Sequence, residues 1–297
     1  MRRIGLIVPG VLVIGLFMVV PLGLMAYISV LERGTHGGVV WGALTPEAYV
    51  AFLFERDLMG ALELNTDYLQ IFVRSFWLSL ATTLLALLVG FPTGLFIALQ
   101  TRPVRNVLVF LVTIPFWTNL LVRNYAWILL LRNNGLIDGA LRDVGLTEQP
   151  IDVLYTPLAI MIGLTYSFLP FMVLPIYASL EKLDLRLVEA AYDLGADRRR
   201  ALTRVIIPLA MPGIVAGCIL VFIPCLGAYV TPVLLGGGKA LMIGNLIQSQ
   251  FGAARNWPFG AALSFALLAM VLLAMMIYVL RFRRAPGGAN STGAPSR

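Results

Sequence analysis

Long runs without a charged residue constrain this sequence more than any other feature. Five such runs each exceed the roughly 20 residues that an α-helix needs to cross the hydrocarbon core of a bilayer. They are Ile4–Leu31, Ser75–Thr101, Val153–Leu180, Val205–Gly238 and Asn256–Leu280. A sixth run, Asn106–Leu131, is interrupted only by Arg123. Backbone groups in lipid must be hydrogen-bonded within the chain, and runs of this length exclude a β-barrel. We therefore predict an all-α integral membrane protein with six transmembrane helices.

The ends of the runs give approximate helix boundaries. The predicted helices are Ile4–Leu31, Ile71–Leu99, Val104–Leu131, Val153–Leu180, Pro212–Leu235 and Pro258–Leu280. The first two are joined by a long loop, Glu32–Gln70, in which Thr45 is predicted to cap a short helix on the membrane surface. Only 12% of the residues are charged, against about 25% in a soluble domain, so we predict no soluble domain. Residues 1–284 form the predicted membrane domain, and the Gly/Pro/Ser-rich residues 285–297 are predicted to be a disordered tail.

The distribution of basic residues predicts the topology. Most Lys and Arg occur at the chain ends and in alternate loops, including 102–105 and 182–204. Because cytoplasmic loops carry an excess of Lys and Arg, both termini are predicted to be cytoplasmic. This topology also explains the net charge of +7 without nucleic-acid binding.

Few residues in the sequence are suited to catalysis or metal binding. The chain has one histidine, His36, and two cysteines, Cys218 and Cys225, which lie in the fifth predicted helix. With no His/Cys cluster and no paired carboxylates near a pocket, we predict no metal site, no cofactor in this chain and no enzyme activity.

The loop 181–211 is charged and carries a helical pattern between two apolar runs. Apolar residues share one side of a predicted helix, Leu183–Leu194, and Gly195 permits a sharp turn after it. A second short helix, Ala196–Ile207, is predicted to end at Pro208. The pattern alone fits two interpretations equally well: a surface that docks onto another protein, or an ordinary loop whose basic residues set the topology.

The loop also contains a spaced motif that distinguishes these interpretations. Its residues are Glu189, Ala190, Ala191, Gly195, Val205, Ile207 and Pro208. This pattern resembles the EAA signature of the membrane subunits of ABC importers. The resemblance implies a type I ABC importer permease (MetI-like) architecture, with the loop seated in a groove of an ATPase subunit. Glu189 would make polar contacts there, Ala190 and Ala191 would allow close approach, and Gly195 would form the turn, with Pro208 closing the motif.

Further stretches extend the resemblance over nearly the whole chain. They are Pro115–Asn119, Leu169–Met172 continuing to Asp184, Met211–Ile214 and Trp257–Gly260. These are similar to permeases of spermidine/putrescine importers. The resemblance implies a bacterial inner-membrane protein that translocates polyamines. It also implies a second, different permease as partner in a heterodimer, two copies of an ATPase subunit that bind ATP and Mg, and an extracytoplasmic solute-binding protein.

A flexible polycation can be held by aromatic faces and carbonyl oxygens. The candidate pathway residues are Trp117, Asn119, Tyr166 and Tyr229. Asn119 is included because an Asn near mid-span usually faces protein or water. Arg123 is predicted to have a structural role, near the outer interface or paired with a polar group, and a gate residue is the alternative.

Three other functions remain open at this level. The same machinery could carry a different solute, such as another organic cation, an amino-acid derivative or an opine. An ion-driven secondary transporter would require intramembrane acids, which the predicted spans lack. A membrane-embedded enzyme or scaffold would show no solute uptake.

Overall fold

The structure is a computed structural model that describes residues 2–56, 62–145, 149, 152–184 and 186–282. These residues are mostly helical. The helices are α1 (Arg2–Ser29), α2 (Glu47–Val50), α3 (Asp67–Ala98), α4 (Arg102–Trp117), α5 (Leu120–Leu131), α6 (Leu136–Asp143), α7 (Pro157–Leu180), α8 (Arg186–Asp193), α9 (Arg198–Ala201), α10 (Ile207–Leu226), α11 (Val230–Gly236), α12 (Ile243–Phe251) and α13 (Trp257–Phe282). The strands are β1 (Leu31–Arg33), β2 (Val39–Leu44), β3 (Phe54–Arg56) and β4 (Leu62–Leu64).

Five helical segments in the described residues are long and apolar enough to cross a membrane. They are Leu12–Ser29, Asp67–Ala98, Pro157–Leu180, Arg198–Leu226 and Trp257–Met276. A bent pair, Arg102–Trp117 and Leu120–Asp143, meets the same length and composition criteria when taken together and is the sixth candidate span. The prediction of a helical protein with six membrane spans is therefore confirmed.

The first and last spans belong to one compact unit, residues 1–52 with 253–297. Within it α1 packs against α13, which also contacts α2 and β1. The β1–β2 hairpin is tied to the start of α13 because the Gly38 amide donates to the Arg255 carbonyl at 2.8 Å. The Arg33 guanidinium donates to the Ala254 carbonyl at 3.0 Å.

The loop Glu32–Gln70 contains more regular structure than its sequence predicted. It forms two antiparallel hairpins, β1–β2 and β3–β4, besides the short helix α2. The predicted cap of that helix was wrong by one residue, because Pro46 occupies the N-cap position. The Thr45 hydroxyl still accepts a hydrogen bond from the Glu47 amide, at 3.2 Å.

The second compact unit is residues 53–252, and α7 is its central helix. Helix α7 packs against both α3 and α10. Two pairs of glycines at four-residue spacing let these helices approach: Gly90 and Gly94 on α3, and Gly213 and Gly217 on α10. A Cβ on Gly90 would lie 2.7 Å from the Met172 side chain, and one on Gly213 would clash with the Pro175 carbonyl oxygen. Small residues at this spacing are typical of close helix packing in membranes.

Two of the predicted helices are broken in the structure. The expected helix Val104–Leu131 was wrong, because α4 and α5 meet at a bend of 92°. The expected helix Pro212–Leu235 was also wrong, because α10 ends at Leu226 and α11 starts at Val230. Both breaks border the same cavity.

Candidate functional site

A cavity of about 320 Å³ lies in the second unit where three segments meet. The segments are the α4–α5 break, the middle of α7 and the α10–α11 break. The lining residues are Phe116, Leu120, Arg123, Leu164, Ser167, Phe168, Phe171, Pro224, Gly227, Ala228, Tyr229, Val230 and Thr231. Small-molecule sites begin at about this volume, and discontinuous helices are typical of solute sites in membrane transporters.

The α4–α5 break is encoded by residues that favour caps over helix interiors. Thr118 is extended, and its hydroxyl donates to the Pro115 carbonyl at 2.8 Å. Asn119 then caps α5, since its side-chain oxygen accepts from the Leu121 amide at 2.8 Å. Asn is preferred at N-caps because its side chain satisfies a free amide of the first turn, whereas Thr118 ends α4 through its bond to a backbone carbonyl. The chain therefore changes direction at Thr118 and Asn119, although the residues around them are apolar.

The α10–α11 break is supported from outside the cavity by α12. The Asn245 side-chain amide donates to the Tyr229 carbonyl at 2.8 Å, and its oxygen accepts from the Met242 amide at 3.1 Å. Gly244 lies against the break as well: a Cβ there would be 2.6 Å from the carbonyl oxygens of Gly227 and Ala228. The first turn of α12 thus fixes the backbone that carries Tyr229.

The cavity wall combines aromatic rings with a few polar groups. The Phe116 and Phe171 rings meet edge to face at 5.3 Å, and Phe168 lies 6.2 Å from Phe171 between ring centres. The carboxyl end of α10 also reaches the cavity, and such helix ends carry partial negative charge. Aromatic faces and this helix end favour a cation. Arg123 also reaches the cavity and provides positive charge.

One of the four predicted pathway residues lines the cavity. That residue is Tyr229. Trp117 is 79% exposed and lies beside the break, with its ring edge-on to that of Phe116, while Asn119 caps α5. The Tyr166 ring packs against Trp127 at 5.6 Å and is not among the lining residues. The assignment of all four residues to a pathway stays a prediction.

Sequence reasoning missed the supporting residues Gly244 and Asn245. The sequence predicted one continuous fifth helix, so the break that these two residues support was not expected. Pro224 and Gly227, close together in an apolar run, were the available signal for a helix end. Arg123 was noticed in the sequence, and the structure places it in the cavity wall.

The described part of loop 181–211 forms a second candidate site. Helix α8 has one apolar side but no buried residue. Glu189 and Ala190 are exposed, and Ala191 is half-buried. Leu194 is 89% exposed directly after the helix. Helix α8 contacts only α9 and the following turn among the described helices with more than marginal contact, and an amphipathic helix that stays this exposed is typical of a surface that binds another protein.

Gly195 forms the turn after α8. Its φ is +80°, its amide donates to the Tyr192 carbonyl at 2.9 Å, and the Ala196 amide donates to the Ala191 carbonyl at 2.9 Å. These two bonds define a Schellman motif, which places glycine at the left-handed position. Asp197 then caps α9 by accepting from the Arg200 amide at 2.7 Å.

The predicted end of the second short helix at Pro208 was wrong. The chain is helical without interruption from Arg198 to Leu226. A π-helical turn, Leu202–Ile206, precedes Pro208, and the Ile207 amide bonds to the Leu202 carbonyl five residues back. The wider π turn relieves the clash that a proline ring makes with the preceding turn of an α-helix.

Together the long apolar spans and the cavity between two broken helices define a helical membrane protein of the transporter class. Residues 90–285 match the family described as binding-protein-dependent transport system inner membrane component. The chain belongs to this family. It is therefore an inner-membrane transport component that works with a solute-binding protein, and it is not an enzyme.

Individual relatives agree with the family assignment. The chain is 43% identical over 231 residues to the spermidine/putrescine transport system permease protein PotB of Escherichia coli, covering 78% of this chain and 84% of the relative. It is 48% identical over 54 residues to PotC of the same organism, another spermidine/putrescine permease, covering 18% and 20% of the two chains.

A solved structure shows the same fold. A chain of a bacterial alginate ABC transporter, in complex with an alginate pentasaccharide-bound periplasmic protein, superposes with a TM-score of 0.71 at 15% identity. The match covers 97% of this chain and 96% of that one. The predicted ABC importer permease architecture is thus confirmed.

Proposed function

We propose that this chain is a permease for polyamines, spermidine and putrescine, in an ABC importer. The observation that carries the proposal is the 43% identity to PotB over 78% of the chain. Similarity at this level spans the cavity-lining segments as well as the scaffold. A change of solute class would leave the fold intact, so the substrate needs its own test.

The cavity supports an organic cation as the solute. Its rings, Phe116, Phe168, Phe171 and Tyr229, offer negative faces to an ammonium group. The carboxyl end of α10 also reaches the cavity at the α10–α11 break, and the partial negative charge of a helix end there favours a cationic group.

The coupling of transport to ATP is assigned to the loop 181–211. Glu189 on α8 provides a charge for polar contact with the ATPase subunit, and the small Ala190 and Ala191 allow its surface to approach. Gly195 sets the angle between α8 and α9, and the continuous helix through Pro208 carries movement of the loop into α10. Two ATPase subunits would hold the ATP and Mg, so this chain itself needs no cofactor.

The remaining partners and the topology follow from the same proposal. A second, different permease completes the pathway, in agreement with the separate similarity to PotC. The distribution of basic residues among the loops supports a topology with both termini in the cytoplasm. Residues 1–284 act as one membrane domain, and the predicted disordered tail 285–297 lies outside the described residues.

Transport then proceeds by a shift between two populations. ATP closes the ATPase dimer, the coupling loops move together and the cavity opens outward. The loaded binding protein favours this state through its own contacts with the outer loops, so that the solute can enter. Hydrolysis returns the cavity to the inward side.

Uptake in cells tests the proposed solute. Cells that lack polyamine import would express this chain with its partner permease, ATPase subunit and binding protein, and receive labelled spermidine. We expect accumulation that disappears when the ATPase subunit is made inactive. Wild-type amounts of the complex in the membrane with no spermidine or putrescine uptake would reject polyamines as the solute.

A further inference from the structure

Arg123 is a buried cation that has no carboxylate within ion-pair distance among the residues that the structure describes. It lies in the second turn of α5, lines the cavity and is only 9% exposed. Its Nε is buried without a hydrogen-bond partner among the described residues. Its Nη2 makes one long contact, 3.5 Å, with the Thr118 carbonyl. A buried guanidinium with so little compensation is strongly unfavourable.

No acidic residue occurs in the segments that line the cavity. The sequence has no Asp or Glu between Asp67 and Asp138, between Asp152 and Glu181, or after Asp197. Asp138 is engaged elsewhere in the described structure, because its carboxylate pairs with Arg142 at 2.9 Å and accepts from the Asn134 amide. A carboxylate for Arg123 must therefore come from outside these segments.

The position of Arg123 on its helix increases the need for an anion. Helix α5 begins at Leu120, and the Arg123 side chain reaches back toward that end to contact Thr118. The first turn of a helix carries partial positive charge. The guanidinium and the helix end therefore add their positive potentials at one corner of the cavity.

The surface around this corner is uncovered in the isolated chain. Thr118 and Asn119 are non-helical and exposed, about 24 Å along α4 from Arg102. In the proposed topology Arg102 lies at the cytoplasmic surface, which puts Thr118 and Asn119 inside the roughly 30 Å hydrocarbon layer. Non-helical backbone at that depth must be covered by protein or line water. The neighbouring exposed residues Trp117, Leu121 and Val122 are apolar, which favours protein over water.

We propose that the partner permease places an Asp or Glu of one of its spans against Arg123, so that the cavity is complete only in the heterodimer. This inference rests on the proposed function, in which a second permease forms the pathway. The ion pair neutralises Arg123, which would otherwise repel a polycation. It also disfavours a homodimer in which two copies of Arg123 approach each other across the cavity, because like charges there would repel.

Charge reversal in the complete transporter tests the pairing. This chain carries an affinity tag, and the amount of partner permease recovered with it from membranes is measured. We expect Arg123→Glu to lower that recovery by about tenfold or more, as loss of a close interfacial charge pair does. Arg132→Glu is the matched control, because Arg132 is exposed at the other end of α5, and it should recover the partner normally.

A second set of variants identifies the partner's acid. Each Asp and Glu in the partner's spans is changed to Arg in the Arg123→Glu background, and one such change should restore both recovery and uptake. The proposal is overturned if no such change restores recovery, or if the Arg123→Glu variant recovers the partner normally. Loss of uptake with normal recovery of the partner would instead assign Arg123 to the solute.

A second substitution is used if the Arg123→Glu variant does not accumulate in the membrane. Arg123→Leu then replaces it, and changing the partner's acid to Leu should restore recovery of the partner. Recovery of the partner permease does not depend on which solute is transported. If the paired change restores recovery of the partner but the wild-type transporter takes up no spermidine, polyamines are rejected as the solute and the ion pair is retained.

Discussion

The Asn245 side chain holds the backbone carbonyl of Tyr229 at 2.8 Å. Asn245 is buried on α12, and its side-chain oxygen accepts a hydrogen bond from the backbone N–H of Met242. Both hydrogen-bonding ends of one side chain are thus used to join α12 to the break that forms the cavity wall. The position of Tyr229 depends on a residue that does not line the cavity.

Replacing Asn245 should therefore impair transport without touching the solute. Asn245→Leu keeps the side-chain size but leaves the Tyr229 carbonyl and the Met242 amide without their partner, at about 1–3 kcal/mol for each buried group. We expect a lower initial rate of spermidine uptake at equal membrane amounts of protein. Gln248→Leu, at an exposed position of the same helix, is the matched control. Equal rates for the two variants would contradict a positioning role for Asn245.

Tyr229 should contribute directly to solute affinity if its ring faces the cation. Tyr229→Leu removes the aromatic face, and loss of about 0.5–2 kcal/mol of cation–π attraction should raise the KM for spermidine several-fold. Trp77→Leu removes an exposed aromatic ring of α3 that is not among the cavity-lining residues, and its KM should match the wild type. If both variants have the wild-type KM, the cavity is not the solute site.

Backbone conformation at Gly195 offers a test of the coupling loop. A Cβ there would meet no atom within 4 Å, so the φ of +80° is the only obstacle to a side chain. Left-handed backbone costs an ordinary residue about 1–2 kcal/mol, and Asn tolerates it better than β-branched Val. We expect Gly195→Val to reduce stimulation of the ATPase by the loaded binding protein, and Gly195→Asn to retain most of it. Similar stimulation in both would argue against a required turn.

Leu194 should contribute to ATPase docking through its exposed apolar side chain. Leu194→Ser removes apolar surface that only a partner can bury, and burying a Leu fully contributes about 1.5–3 kcal/mol. The expected result is weaker recovery of the ATPase subunit with the purified permease pair. Leu136→Ser changes another highly exposed leucine, on α6, and should recover the ATPase normally. Unchanged recovery for Leu194→Ser would place the docking surface elsewhere.

The spans and the turn at Gly195 could be predicted because each depends on local sequence. Charge-free runs define where helices can cross lipid, and a glycine after an amphipathic segment indicates a helix end. The breaks at Thr118 and Gly227 were missed because the surrounding residues stay apolar, so hydropathy does not change there. Their stability comes partly from tertiary contacts, such as that of Asn245 with Tyr229, which a single sequence does not display.

The prediction at Pro208 failed in the opposite way, because a helix end was predicted where the helix continues. A proline normally predicts the end of a helix, but here a π-helical turn accommodates it and the helix continues into the membrane span. Nothing in the local sequence distinguishes this outcome from a helix end. As a result, the second half of the loop and α10 form one continuous helical element, Arg198–Leu226.

The most direct test of polyamine import uses purified components. Lipid vesicles would contain this chain, its partner permease and the ATPase, with ATP inside and binding protein and labelled spermidine outside. We predict accumulation of spermidine that requires both ATP and the binding protein. ATPase activity that the binding protein stimulates, without any accumulation of spermidine or putrescine, would contradict the assignment of polyamines as the solute.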